Sequence, residues 1–492
     1  MQHRRKSGIL LHPTSLPGPG GIGALGRECR RFIDFLEAAG QTLWQVLPLG
    51  PAAYGNSPYS CYSAFAGNPL LIDLTALVDV GDLDGTPPAV FPEDQVDFAL
   101  VENYKIPLLK KAAAKFYAHG ERERKEEYWH FCDTTPWLHD YALFMALKAH
   151  FGGKSWTAWP REIARREPEA LEKYSVRLGE AIGEQKYIQW QFFRQWRHIR
   201  EYANGKGIGI VGDIPIFVAF DSADVWVAPH LFKLDEKGKP TVVAGVPPDY
   251  FSKTGQRWGN PLYNWDAMAA EGYRWWIERF RSCFDICDMV RIDHFRGFEA
   301  CWEVPAREKT AVKGQWVKGP GEALFDAVIG RLGMLPIIAE DLGVITPEVE
   351  ELRDRYRFPG MKILQFAFDS GPANPYLPHN FTRDSVVYTG THDNDTTVGW
   401  FGSLDAPHRK AVLAYLGTAG EEIHWELIRL GLGSVADLAI FPLQDILGLD
   451  GSARMNLPGT PRGNWSWRFN TGALTEKHAE RLHELTALFG RM

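Results

Sequence analysis

Three carboxylates stand at the ends of apolar runs, in surroundings that suit nucleophilic and acid–base chemistry. In Met289-Val-Arg-Ile-Asp-His294 a strand puts Val290 and Ile292 on one face and Arg291 with Asp293 on the other. An Arg beside a carboxylate favours its ionised form and fixes its orientation, as a nucleophile at neutral pH requires. The same pair also fits a structural ion pair at a rim. Glu340 closes the apolar part of Ile337-Ile-Ala-Glu-Asp-Leu-Gly343, where partial burial raises a carboxyl towards the range of a general acid. Alone, such a Glu is as readily a rim residue paired with a Lys or Arg. Tyr388-Thr-Gly-Thr-His-Asp-Asn-Asp395 places His392 and Asp393 just past a strand, after a glycine that allows close backbone approach. Asp395 is a rival to Asp393 there, and the Asp-Asn-Asp run also reads as a polar loop.

Carboxylates this far apart in the chain meet only if the elements carrying them converge. Candidate strands fall at 9–12, 43–49, 208–218, 288–293, 335–340, 362–368, 386–391 and 438–441. Amphipathic segments of helix length lie between them. Tyr273, Trp276, Ile277, Phe280 and Phe284 share one face at helical spacing, as do Phe32, Phe35 and Leu36 ahead of Gly40. Eight apolar strands alternating with helices predict an α/β fold, a (β/α)8 TIM barrel, with chemistry at the C-terminal strand ends. Asp213, Asp293, Glu340 and the His392–Asp393 pair fall at or near such ends. The gap after the second strand is too long for one crossover, so residues 55–185 are expected to form a largely helical inserted subdomain. A smaller insertion, 221–265, follows the third strand. Only about fifty residues follow the last strand, too few for a C-terminal β-domain.

The chain has 492 residues, with 45% hydrophobic and 23% charged, ordinary values for a globular protein. The formal charge of −7, with no basic block, argues against a nucleic-acid partner. Cys29, Cys61, Cys132, Cys283, Cys287 and Cys301 are scattered without a CxxC pair, so neither a zinc site nor a disulfide framework is expected. The apolar stretch before His12 and Pro13 is too short for a signal segment, and no run approaches a membrane span. The cytoplasm is the expected compartment. The 18 Trp, 17 Tyr and 28 Phe mostly serve a large core, although flat aromatic faces also suit sugar rings.

Asp213-Ile-Pro-Ile, Arg291-Ile-Asp-His294, Ala339-Glu-Asp-Leu-Gly343 and Thr391-His-Asp-Asn394 resemble the strand motifs of the α-amylase clan. Leu11-His-Pro-Thr-Ser-Leu-Pro-Gly18, Pro51-Ala-Ala-Tyr-Gly-Asn-Ser-Pro-Tyr59, Gly245-Val-Pro-Pro-Asp-Tyr-Phe-Ser252, Gln256-Arg-Trp-Gly-Asn-Pro261 and Asn456-Leu-Pro-Gly-Thr460 narrow the likeness. They resemble the amylomaltases, the 4-α-glucanotransferases of glycoside hydrolase family 77, from about residue 8 to residue 468. That resemblance implies Asp293 as nucleophile, Glu340 as acid/base and Asp393 as the third carboxylate, which holds sugar hydroxyls. It implies Arg291, His294 and His392 around the donor sugar, with Asp213 supporting the site. It further implies a lid at 245–256 from which Asp249 reaches in, with Gln256 alongside. Trp258 becomes an acceptor platform, Tyr59 and Asn464 cleft positions, and Tyr54 a second glucan contact.

The reaction so implied is retaining transfer of α-1,4-glucan segments from a donor maltodextrin to an acceptor glucan or glucose, without metal or cofactor. A plain α-glucan hydrolase would share every catalytic residue. A metal-dependent barrel hydrolase would use the same Asp, Glu and His as ligands, although the first strand offers only His12 and no HxH pair. A catalytically inactive glucan-binding protein is the alternative outside enzymology.

Overall fold

The computed structural model describes residues 5–248, 252–460 and 462–492. Eight parallel strands form a barrel: Lys6–Leu10, Leu43–Gln45, Gly209–Pro215, Met289–Asp293, Ile337–Ala339, Gly360–Ile363, Ser385–Tyr388 and Leu438–Pro442. They lie side by side in chain order, and the last pairs with the first in register Lys6 to Leu438. Between the fifth and sixth, the Ala339 N–H donates to the Pro359 carbonyl at 3.0 Å. The α/β barrel expected from the strand pattern is therefore the fold.

Both faces of each strand are buried, which is why the strands read as continuous apolar runs without alternation. Leu10, Leu43, Val211, Ile338, Met361, Ile363, Val386 and Ile440 fill the barrel interior. Their chain neighbours Ile9, Trp44, Ile210, Val290, Ile337 and Phe441 face the surrounding helices. The helix Arg27–Ala38 buries Cys29, Phe32, Ile33 and Leu36. The helix Arg274–Phe284 buries Trp276, Ile277 and Phe280. Tyr273, expected inside that second helix, instead caps it at φ 56° after Gly272.

The long connection after the second strand is mostly helical. It includes Phe98–His119, Arg122–Thr134, Leu138–His150, Pro168–Arg177 and Gly179–Gly205. The 27-residue helix Gly179–Gly205 runs through residue 185 and brings Trp196 to within 6.1 Å of Trp44, centroid to centroid. It is thus the helix that covers the second strand.

Several strand readings change: the second strand ends at Gln45 and not at Leu49, the third at Pro215 and not at Val218, and the seventh at Tyr388 and not at Thr391. The first strand begins at Lys6 and ends at Leu10, leaving His12 beyond it. The sixth stops at Ile363, and Leu364–Phe366 turn into a 3-10 segment. Leu364 is fully buried there, and a buried turn is as apolar as a strand, so the run was legible and its end was not.

A second sheet was not legible at all. Gln256–Pro261, Val242–Val246, Ala300–Pro305 and Gln315–Lys318 form an antiparallel sheet in that order. It joins the insertion after the third strand to the segment after the fourth, and so roofs one side of the barrel mouth.

Candidate active site

The parity of two neighbouring strands builds the centre of the mouth. Asp213 lies opposite Arg291 in the parallel register, and both face inward with Val211 and Met289. Arg291 donates through Nη1 to Asp213 Oδ2 at 2.6 Å and through Nη2 to Asp293 Oδ1 at 2.9 Å. One buried guanidinium thus joins two carboxylates. Tyr59, from the loop after the second strand, donates its hydroxyl to the same Asp213 Oδ2 at 2.7 Å. Its ring stacks on His392 with centroids 4.9 Å apart and planes 19° apart. Trp465 packs against both rings. Asp213 Oδ1 is buried with no hydrogen-bond partner among the described residues.

Glu340 follows the fifth strand and is held by main chain. The His294 N–H donates to Oε2 at 2.6 Å and the Leu342 N–H to Oε1 at 2.9 Å. His294 reaches that position in the left-handed region, at φ 52° and ψ 50°, a conformation a non-glycine residue adopts at a cost and that gathers at functional sites. The turn aims the His294 amide at the residue expected to be the acid, directly after the residue expected to be the nucleophile.

Asp393 and its rival Asp395 separate. Asn456 donates through Nδ2 to Asp393 Oδ1 at 2.6 Å, and Arg454 donates to the Asp393 carbonyl. Asp395 instead accepts from the Thr396 N–H at 2.8 Å. A Cβ on Gly399 or Gly451 would come within 2.6 or 2.9 Å of its carboxylate, so Asp395 is wedged between two backbones. Asp293 carries the electrostatic influence of Glu340, Asp213 and Asp393; the three expected carboxylates converge.

Their charges oppose one another. Burial, followed by Glu340, Asp213 and Asp393, pushes the Asp293 carboxyl up to about 8, against the opposing pull of Arg291. This differs from the expectation that Arg291 would keep Asp293 in the ordinary carboxylate range. Burial outweighs the pull of Arg291, which is shared with Asp213, and the other carboxylates add to the rise. Burial also raises Glu340, while Arg291 and the two backbone N–H groups counteract it. Burial thus raises both carboxyls. Burial lowers His294 to about 3 and lowers His392 as well, so both imidazoles are neutral hydrogen-bonding groups.

The remaining expected residues are distributed around this centre. Trp258 is 39% exposed and meets His294 edge-on at 4.8 Å. Its indole N–H donates to Gln256 Oε1 at 3.2 Å. Asn464 ties its own loop: Oδ1 accepts from the Leu457 N–H, and Nδ2 donates to the Thr460 carbonyl. Tyr54 is 75% exposed at the tip of the loop that brings Tyr59 inward, and among the described residues no contact joins it to the carboxylate cluster. Asp249 lies outside the described residues. Asn456, Arg454 and Trp465 were missed as site residues. The available signal was that loops after barrel strands gather at the mouth.

Fold and mouth together are those of a carboxylate-based barrel enzyme acting on glycosides. A family model described as 4-alpha-glucanotransferase matches residues 11–475. The 4-alpha-glucanotransferase of Thermus thermophilus is 53% identical over 502 aligned positions, covering 100% of both chains. That of Synechocystis sp. is also 53% identical, over 100% of this chain and 99% of its own. The amylomaltase from Streptococcus agalactiae, solved in complex with acarbose, superimposes at TM-score 0.95 and 41% identity, over 99% of this chain and 100% of that one. The amylomaltase from Corynebacterium glutamicum shares the fold at TM-score 0.77 and 18% identity, over 99% of this chain and 75% of that one. The chain belongs to the 4-alpha-glucanotransferase family, glycosyl-transferring enzymes that work by retaining double displacement.

Proposed function

We propose that Asp293 is the nucleophile, Glu340 the acid/base and Asp393 the carboxylate that grips hydroxyls of the donor sugar. Glu340 protonates the glycosidic oxygen while Asp293 attacks the anomeric carbon, and a covalent glucosyl-enzyme forms. The released glucan leaves. Glu340, now ionised, takes the proton of an acceptor 4-hydroxyl, whose oxygen attacks the same carbon and restores an α-1,4 bond. The observation that carries this reading is geometric: Arg291 holds Asp293 at 2.9 Å, and the amide of the next residue, His294, holds Glu340 at 2.6 Å in the same barrel mouth. One ionised and one protonated carboxyl is the charge state that the first step consumes.

Around this centre Arg291 steadies Asp213 and Asp293, and the neutral His294 and His392 bond donor hydroxyls. Trp258 stacks the acceptor, with Gln256 fixing its indole. Asp249 reaches in from the lid at 245–256, and Tyr59 and Asn464 line the cleft. Tyr54 serves as a glucan contact apart from the mouth. Transfer prevails over hydrolysis when the acceptor is bound strongly enough to outcompete water. The substrates are maltodextrins and amylose, with glucose as an acceptor, and acarbose, which the Streptococcus agalactiae amylomaltase binds, is expected to bind here as well. In the same reading 55–185 is an inserted subdomain and 221–265 a lid-bearing insertion. All six cysteines are free thiols, which fits a reducing cytoplasmic compartment. No described helix is long and apolar enough to cross a membrane.

Incubation with pure maltotriose and sizing of the products tests the reading. Glucose and a ladder of longer maltodextrins, with little new reducing end, are expected, and activity should survive a strong chelator. Reducing ends rising in step with maltotriose loss would make the chain a hydrolase.

A further inference from the structure

We propose that Asn456 is a positioning residue for Asp393, and that Arg454 is the clamp that holds the two together. The inference rests on the reading of Asp393 as the third carboxylate. Asp393 lies past the end of its strand with its side chain 47% exposed, so strand packing does not set its rotamer. The contact that does is the Asn456 Nδ2 donor on Oδ1 at 2.6 Å; His392 Nε2 stands further off, at 3.4 Å from the same oxygen. Asn456 is itself fixed at both ends of its backbone. Its N–H donates to the His392 carbonyl at 3.1 Å, and its carbonyl accepts from Arg454 Nε at 2.7 Å. Arg454 also reaches the Asp393 carbonyl through Nη2, which closes the loop 454–456 onto residues 392–393.

The chemistry of the donor matters as much as its place. A Lys or Arg on Oδ1 would offset the negative charge that a developing positive centre on the sugar needs nearby. An amide fixes the carboxylate without a charge of its own, leaving Oδ2 free for hydroxyls. The cation that is present, Arg454, turns to main-chain carbonyls. Holding such a group within a fraction of an ångström is what makes its charge useful in the transition state.

Asn456→Ala is expected to lower kcat on maltotriose by roughly ten- to a hundredfold, the range for a lost hydrogen bond to a charged group, with KM close to wild type. Asn456→Asp keeps the side chain's shape but sets a second carboxylate against Asp393 Oδ1. While the introduced carboxyl keeps its proton it donates to Asp393 as the amide does; loss of that proton sets two carboxylates face to face and releases the contact, so activity falls as the pH rises and the alkaline limb of the kcat/KM profile moves to lower pH. A residue that only stabilises the loop would lower activity evenly across pH. Wild-type kcat in Asn456→Ala, or an unshifted profile in Asn456→Asp, overturns the proposal. Should Asn456→Ala fail to fold, the isosteric Asn456→Asp carries the test. Asp393→Asn is measured alongside. If it retains turnover, the reading of Asp393 has failed; if it is inactive while Asn456→Ala turns over normally, only the positioning role has failed.

Discussion

Replacing Asp213 with Asn should move the acid limb of the kcat/KM profile to lower pH. Asp213 acts on Asp293 in two ways. It raises that carboxyl through its own negative charge, and it shares the Arg291 guanidinium that would otherwise serve Asp293 alone. Two carboxylates bridged by one guanidinium lie about 6 Å apart, and unit charges at that distance interact by roughly 3 kcal/mol at an effective dielectric of about 20. That corresponds to roughly two pKa units. The Asp293 side chain is 30% exposed, so solvent screening reduces the effect to about one unit. The substitution is sterically mild, because one Asp213 oxygen takes the bonds from Arg291 and Tyr59 while the other has no partner among the described residues. An amide can keep the first set and place its nitrogen at the second position. The sign follows directly: a negative neighbour removed lowers the pKa of Asp293, so the free enzyme reaches its ionised, active form at a lower pH. The alkaline limb, set by loss of the acid's proton from Glu340, should move less, because the charges that influence Glu340 most are Arg291 and Asp341. The assay is initial-rate disproportionation of maltotriose across pH, with Tyr59→Phe as a charge-neutral control. An acid limb that stays in place, or moves to higher pH, refutes the electrostatic account.

Asp293→Asn should reduce maltotriose turnover by about a thousandfold or more while leaving the fold and maltodextrin binding intact; turnover measured beside isothermal titration decides it, and persistent activity removes Asp293 as nucleophile. Trp258→Ala should raise the ratio of reducing-end release to transferred product, because the acceptor loses an aromatic surface and water does not; an unchanged ratio takes Trp258 out of acceptor binding. Buried Lys105 donates to the Leu70 and Ile72 carbonyls, both at 2.6 Å, and burial lowers it to about 7. Its folded value lies below its unfolded value, so its contribution to stability is complete above about 10.5 and is lost as the pH falls through about 7. Between those limits denaturant midpoints should rise with pH by at most about 1.4 kcal/mol per unit, and Lys105→Met should flatten that rise.

The barrel was legible because both faces of its strands are buried, which leaves unmistakable apolar runs such as Val290 to Ile292 between flanking helices. The carboxylates were legible because Asp293, Glu340 and Asp393 each break such a run where it ends. Pairing that depends on distant partners left no local trace. Val242–Val246 finds Ala300–Pro305 across some sixty residues, and neither segment alternates clearly enough to announce a strand. Asn456 was visible as part of a motif, but an amide in a Pro-Gly loop says nothing about which carboxylate it will meet. The ionisation of Asp293 was misjudged for a related reason: the neighbouring Arg291 can be read in the chain, whereas the burial that raises the carboxyl, and the carboxylates that add to it, exist only after folding.

Glu340 is cradled by peptide amides, and that has an evolutionary consequence. Only a change to proline removes a main-chain N–H, so other drift among the surrounding side chains leaves this carboxyl's two donors untouched so long as the turn at His294 survives. Adaptation of the enzyme to a more acidic or alkaline habitat therefore has its easiest handles on the other side of the mouth, among the side chains that compete for Arg291.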